Sequence, residues 1–190
     1  GSLVLEELII LDQINGFDAF KDVGGGVKIA FNDKLADVSG LSNLNSVGKD
    51  ADGNSIVVVD NPILSSLQGL RALQGMLQGA VHIANNGELT SLNGLQQVLG
   101  IGYDNFGVAL NITENAKLES IDGLLGLEGK INGSVVVVRN PSLRSLTGLQ
   151  AVSEIGKDVT GDSLRIMMNE ILVSLLGFEG LKKVDGAITV

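Results

Sequence analysis

The fold is decided by a stretch that reads VHIANNGELTSLNGL at residues 81–95, because its elements recur along the whole chain. Its end follows the pattern apolar-x-Gly-apolar, which occurs seven times, and successive glycines are 24, 29, 25, 29, 25 and 29 residues apart. Short and long units therefore alternate. Internal periods of this length are typical of solenoid proteins. The seven glycines are Gly16, Gly40, Gly69, Gly94, Gly123, Gly148 and Gly177.

An asparagine stands eight residues before each of the last six glycines, and a leucine follows it three residues later. At such a corner the chain leaves a sheet, and its backbone N–H and C=O groups lose their partners. An asparagine amide has both donors and an acceptor, so a stack of them can satisfy these groups. We interpret the column as a structural asparagine ladder. It comprises Asn32, Asn61, Asn86, Asn115, Asn140 and Asn169.

Before each of these asparagines the chain alternates with the period of a β-strand. The fifth and third preceding residues are always aliphatic, as in Val81 and Ile83, which is typical of a strand with one buried face. The sequence predicts an all-β fold, a right-handed parallel β-solenoid of about seven coils in alternating 25/29-residue units. We expect a second short strand near the Leu-x-Ser-Leu segment and a single 3₁₀ or helical turn after the glycine. Residues 1–190 would form one such domain.

Composition excludes several classes of protein. The chain has 13 basic and 22 acidic residues and a net charge of −9, so we expect no nucleic-acid partner, since phosphate binding requires cations. It has no cysteine, and no apolar run is long enough to span a membrane, so we expect no membrane insertion. No motif for a cofactor is present, and none is predicted.

The long units carry their extra residues at one place, with the pattern Gly-x-Asp-x-x-Gly every 54 residues. We expect three loops, at residues 48–55, 102–109 and 156–163, to protrude side by side, and inserted loops on one face of a solenoid often bind ligands. The favoured interpretation of each is a hairpin turn with glycine at positive φ. Calcium binding by Asp50, Asp52 and Asn54 is the alternative, because their spacing resembles part of a calcium loop.

The outward positions of the strands form a second candidate contact surface, since solenoids usually bind there. Four of these residues are valines and the others are polar or charged, and apolar side chains facing outward favour a contact with another protein or element. Ordinary β-propensity on a solvated sheet is the alternative. The candidate residues are Val57, Val59, His82, Asn111, Val136, Val138 and Arg165.

Little in the sequence favours an enzyme. His82 is the single histidine, so a Ser–His triad has only one available centre. The three arginines on neighbouring units, Arg139, Arg144 and Arg165, accompany Glu114 and Glu119. Such groups occur in polysaccharide lyases, but charge pairing across strands is the favoured interpretation. We predict no catalytic residues.

The combined string Val-x-Ile-x-x-Asn-x-x-Leu-x-Ser-Leu-x-Gly-Leu, followed by Leu-x-x-Ile-x-Gly, resembles the receptor L domain, and the resemblance extends from Leu3 to Val190. This is a leucine-rich β-helix repeat of the extracellular parts of insulin and epidermal growth factor receptors, and it is similar to repeats in microbial surface proteins. The resemblance implies a non-catalytic binding or adhesion module at the cell surface or outside the cell, with a protein or glycan ligand. A scaffold or spacer segment of a larger assembly is the alternative, and a polysaccharide-active enzyme is the third.

Both ends of the sequence lie within the repeat pattern. Leu3 and Leu5 already occupy core positions, and Val190 stands three residues before the next expected asparagine. Solenoids need polar caps at both ends. We therefore expect the chain to be a fragment of a longer array, with further repeats or a partner chain at its C-terminal end.

Overall fold

A computed structural model, which describes residues 1–190, shows a β-solenoid built around one long parallel sheet. Each coil contributes one strand to this sheet. All strands are numbered in chain order, and the even-numbered ones lie outside this sheet. The odd-numbered strands pair in the order β1-β3-β5-β7-β9-β11-β13-β15. At a spacing of about 4.8 Å the eight strands extend over about 35 Å. They are β1 (Leu3–Glu6), β3 (Val27–Ala30), β5 (Asn54–Val59), β7 (Ala80–Ala84), β9 (Val108–Thr113), β11 (Ser134–Val138), β13 (Asp162–Met167) and β15 (Ala187–Thr189).

The remaining strands are short and form three small parallel sheets on another side of the coil, β2-β4, β6-β8 and β10-β12-β14. They are β2 (Asp22–Val23), β4 (Ser46–Val47), β6 (Gln74–Met76), β8 (Gln97–Gly100), β10 (Glu128–Ile131), β12 (Ala151–Ile155) and β14 (Lys183–Val184). Four coils also contain a 3₁₀ turn, at Ser39–Leu41, Gln68–Leu70, Asp122–Leu124 and Thr147–Leu149. The β-solenoid predicted from the repeat is confirmed.

The position of the second strand differs from the expectation. The Leu-x-Ser-Leu segment makes only isolated bridges, such as those of Ser120 with Ser91 and Ser145, and the small sheets lie beyond the repeat glycine. The tight 3₁₀ turn spans that glycine rather than following it. At Gly69 a Cβ atom would overlap the carbonyl oxygen of Val38 in the preceding coil, so only glycine allows adjacent coils to approach so closely at this corner.

A single aliphatic core of 40 buried residues runs the length of the solenoid. The aliphatic columns of the repeat supply it, and Val81 and Ile83 are examples with essentially no exposed surface. The strands are in register, so that Val81 pairs with Leu110 and Ile83 with Ile112. Each coil thus packs its aliphatic side chains on the same columns of the next coil.

The asparagine column forms a buried hydrogen-bonded ladder at the end of the main sheet. The Nδ2 of Asn86 donates to the carbonyl oxygens of Val58 and Ala84 at 2.9 and 3.0 Å, and its Oδ1 accepts the backbone N–H of Asn61 at 3.2 Å. Equivalent bonds connect Asn61, Asn115 and Asn140 with their neighbours. The first five asparagines of the column have no exposed surface.

The residue before each corner asparagine, or before its counterpart in the first coil, has a left-handed backbone, with φ between 53° and 58°. None of the seven is glycine, although this conformation costs an ordinary residue about 1 kcal/mol. The hydrogen bonds of the ladder fix the backbone at each corner, so the same turn forms whatever side chain stands before the asparagine. These residues are Glu7, Phe31, Asp60, Asn85, Glu114, Arg139 and Met168.

Candidate functional site

The three long loops share one architecture, which a single aspartate holds in place. In the middle loop the Oδ1 of Asp104 accepts the backbone N–H groups of Phe106 and Val108, both at 2.9 Å. The N–H of Asp104 donates to the carbonyl of Val108, and the N–H of Gly107, at φ 84°, donates to the carbonyl of Asp104. Asp50 and Asp158 hold the first and third loops in the same way. Each loop is therefore a rigid turn closed on its own carboxylate.

The three loops also contact one another across the short coils that separate them. Asn105 donates its backbone N–H to the carbonyl of Asp52 and its Nδ2 to that of Ala51, at 2.9 and 3.0 Å. Val159 donates its N–H to the carbonyl of Phe106 at 2.9 Å. The loops consequently form a continuous ridge, defined here as residues 48–54, 102–108 and 156–162, along the edge where the main strands begin.

Glycines in the short coils make room for this ridge. A Cβ atom on Gly79 would overlap the carbonyl oxygen of Gly53, and one on Gly133 would come within 2.8 Å of Tyr103 Cβ. Since the long loops fold directly over the short coils, the alternation of unit lengths is what produces the ridge.

Beside the ridge lies the outer face of the main sheet, where two rows of side chains run across the strands. In the first row Val57, His82, Asn111, Val136 and Arg165 are register partners of one another. The second row is mostly apolar and runs from Ala30 to Met167, with Val59, Ala84, Thr113 and Val138 between them. The structure thus brings the candidate contact residues together on one face. Most are half-buried, but Val136 is only 8% exposed, because its neighbours cover it.

His82 connects the first row to the ridge. Its Nε2 lies 3.3 Å from Asp104 Oδ2, out of line for a hydrogen bond, and its Nδ1 is 3.4 Å from Asn111 Nδ2. Burial lowers the pKa of His82, and the nearby carboxylates of Asp104 and Asp50 offset only part of that effect. The imidazole is therefore neutral at pH 7, and Nδ1 can accept a hydrogen bond from the Asn111 amide.

Arg165 makes the equivalent connection at the other end of the face. Its guanidinium lies 3.3 Å from Asp158 Oδ2 and 3.5 Å from Asp162 Oδ2, and Ser134 Oγ donates to the same Asp158 oxygen. Burial by itself raises the pKa of Asp158, but hydrogen bonds from Thr160, Asp162 and Ser134 outweigh burial and place the pKa below its ordinary value. Asp158 is therefore ionised, and both of its carboxylate oxygens have hydrogen-bond or ion-pair partners.

A shallow pocket of about 510 Å³ opens on the ridge, and its wall is mostly polar. Lys49, Tyr103 and Lys157 occupy the same position in the three loops, immediately before the aspartate. All three are exposed, and neither lysine has a carboxylate within 4 Å. The pocket is lined by Lys49, Gln78, Tyr103, Asp104, Asn105, Gly107, Lys157, Asp158 and Val159.

The other candidate groups are engaged in local structure. The Asp50 Oδ1 accepts the N–H groups of Asp52 and Asn54, and nowhere do three or more His, Cys, Asp or Glu side chains converge in a way that could hold a metal ion. Arg139 pairs with Glu114 at 2.9 Å and Arg144 with Glu119 at 3.7 Å, all of them exposed. The helical segments are single turns of three residues, so none could cross a membrane.

Sequence reasoning missed three features of this region. The aspartate that closes each loop could have been found from its constant place in the Gly-x-Asp-x-x-Gly pattern, since Asp readily bonds backbone two residues on. The contact between His82 and Asp104 could not be predicted from the local sequence, because the two residues belong to different coils. The exposed row of Lys49, Tyr103 and Lys157 could have been found by aligning the three loops, because each residue stands immediately before the loop aspartate.

The fold defines the class of the protein, a β-solenoid repeat protein with a broad sheet face beside a loop edge. A family model of the receptor L domain matches residues 2–97, half of the chain. The chain belongs to the receptor L domain family, whose members are non-enzymatic ligand-binding modules, typically in the extracellular parts of receptors. Neither a curated protein nor a solved structure matches the chain significantly.

Proposed function

We propose that this protein is a non-catalytic binding or adhesion module that acts at the cell surface or outside the cell. The observation that carries the proposal is the outer face of the main sheet, where the partly exposed, mostly apolar row from Val59 to Met167 lies beside a row containing His82, Asn111 and Arg165. Across four strand spacings of about 4.8 Å this face extends about 19 Å. An apolar strip rimmed by polar groups is the usual anatomy of a protein-binding surface.

The face is also rigid. The asparagine ladder holds one end of its strands and the loop ridge lies along the other, with backbone hydrogen bonds between loops. A preorganised surface loses little conformational entropy on binding, which favours affinity. Protein is therefore the favoured ligand of the sheet face, and glycan is the alternative.

Binding can be tested by changing the apolar row. A double variant with Val59→Lys and Val138→Lys places two charges on the face, and the control with Leu99→Lys and Ala151→Lys makes the same change on β8 and β12. All three proteins would be applied to a glycan array and to an array of purified extracellular proteins. We expect a specific wild-type signal that falls at least tenfold in the Val59/Val138 variant and persists in the control, with both variants melting cooperatively.

The scaffold alternative makes a different prediction. A spacer segment would give no specific signal on either array, and its sheet face would tolerate both lysines without consequence. Turnover of a polysaccharide that is lost on His82→Ala or Arg165→Ala would contradict both proposals and favour the enzyme.

A further inference from the structure

We propose that the pocket on the loop ridge binds an acidic glycan chain, with Lys49 and Lys157 contacting its anionic groups and Tyr103 stacking on a sugar ring between them. This inference rests on the proposed binding function and names a ligand class for the ridge pocket. The sheet face and the ridge pocket are separate surfaces, so the two proposals can fail independently.

The exposed charge in the pocket is positive. Asp104 and Asp158 line it, but both are only 7% exposed, and their Oδ1 atoms are bound by loop N–H groups. The second oxygen of Asp158 is bound by Ser134 and Arg165. The exposed charges are therefore the two lysine ammonium groups, which have no salt bridge although the protein has a net charge of −9.

The wall of the pocket combines an aromatic side chain with amide groups. Tyr103 is half-exposed, and because residue 133 is glycine, no side chain there crowds the Cβ of Tyr103. Asn105 and Gln78 add amide groups, and Val159 is the only other apolar residue. An aromatic face with amide donors and acceptors suits a sugar, whose rings have an apolar side and a rim of hydroxyl groups. An acidic peptide has no need of the aromatic face.

The groups that line the ridge recur at a fixed interval. The three loops stack at intervals of two coils, which is about 10 Å at the usual strand spacing, and their equivalent positions carry Lys, Tyr and Lys. Direct hydrogen bonds between the loops hold this spacing. A row of groups at a fixed interval matches a polymer of regular repeat, and a polysaccharide is such a polymer.

The experiment is titration calorimetry of the 190-residue chain at low salt with three carbohydrate probes: an octamer of galacturonic acid, its methyl ester, and a chondroitin sulfate octamer. Binding of the first or third but not of the ester is expected; binding of the galacturonate octamer shows that carboxylate suffices, and binding of chondroitin sulfate alone indicates that sulfate is required. The variant Lys49→Gln/Lys157→Gln should weaken binding at least tenfold. The matched control Lys34→Gln/Lys182→Gln removes two other exposed, unpaired lysines and should leave the affinity within twofold.

Tyr103→Ala should also weaken binding at least fivefold at unchanged net charge, and raising the salt concentration should weaken wild-type binding more than that of the double lysine variant. The inference is overturned if neither acidic octamer binds, if the control weakens binding as much as the test variant, or if poly-glutamate or oligo-dT binds as tightly as the octamers. In any of these cases a ligand that depends on Val59 and Val138 would still support the proposed function.

Discussion

At the scale of single residues, the corner asparagines decide whether one coil can be placed on the next. Each replaces the backbone partners that strand pairing supplies elsewhere, and the first five do so without exposure to water. Unpaired polar groups at such a position cost about 1–3 kcal/mol each. The ladder therefore contributes to stability by satisfying neighbouring backbone as well as its own side chains.

We expect Asn86→Ala to lower the free energy of unfolding by about 3 kcal/mol or more, because the carbonyls of Val58 and Ala84 and the N–H of Asn61 lose a partner together. Chemical denaturation measures this. The control is Asn85→Gly, next to it in the chain and exposed, where glycine suits the left-handed backbone. Equal losses in the two variants would contradict a special role for the ladder.

His82 makes stability depend on pH in the range where few other groups titrate. Burial holds its folded-state pKa below the ordinary value of 6.5, so the unfolded chain takes up a proton first as the pH falls. The free energy of unfolding should therefore decrease from pH 7 to pH 5, with a slope of at most about 1.4 kcal/mol per pH unit for one proton.

Denaturation at several pH values tests this expectation, with His82→Gln as the comparison. The variant cannot titrate, so its stability should be flatter between pH 7 and 5 than that of the wild type. A wild-type slope that survives in His82→Gln would assign the effect to another group.

At the scale of elements, the decisive contact is that of a long loop with the short coil beneath it. The loop reaches the next long loop only because glycine occupies the intervening turn, as at Gly79 and Gly133. The ridge therefore depends both on the inserted residues of the long units and on the glycines of the short units.

Gly79→Ala is expected to destabilise the protein by about 1–3 kcal/mol, since the added Cβ overlaps the carbonyl oxygen of Gly53 and the backbone must shift. Gly87→Ala is the matched control, because a Cβ there meets nothing closer than 3.6 Å; it should be neutral or stabilise by up to about 1 kcal/mol. Thermal unfolding compares them, and a Gly79 variant as stable as the Gly87 variant would show that the loops can move apart.

At the scale of the whole molecule, the last coil leaves apolar side chains uncovered. Leu175 is 45% exposed and Ile188 on β15 is 55% exposed, whereas the residues of the same columns in inner coils, such as Leu146 and Leu164, are buried by a neighbouring coil. A solenoid protects such surfaces by contact with another repeat, a cap or another chain. We propose that a partner chain covers this surface.

The 190-residue chain should therefore self-associate as its concentration rises, and Leu175→Lys combined with Ile188→Lys should reduce this association. Sedimentation velocity at several concentrations measures both. Leu99→Lys with Ala151→Lys serves again as the control, since it adds the same charge to a different surface. A wild-type chain that stays monomeric at high concentration would contradict the proposal.

The sequence by itself determined the repeat, and with it the parallel sheet, the aliphatic columns and the asparagine column. These follow from local rules, because alternation of apolar residues defines a strand and a strict period allows only stacking in register. The tertiary structure alone decided what lies between coils: the contact of His82 with Asp104, the hydrogen bonds between the three loops, the burial of Val136 and the place of the second strands. These depend on distances between residues 22 to 54 positions apart, which packing sets and which no local pattern encodes.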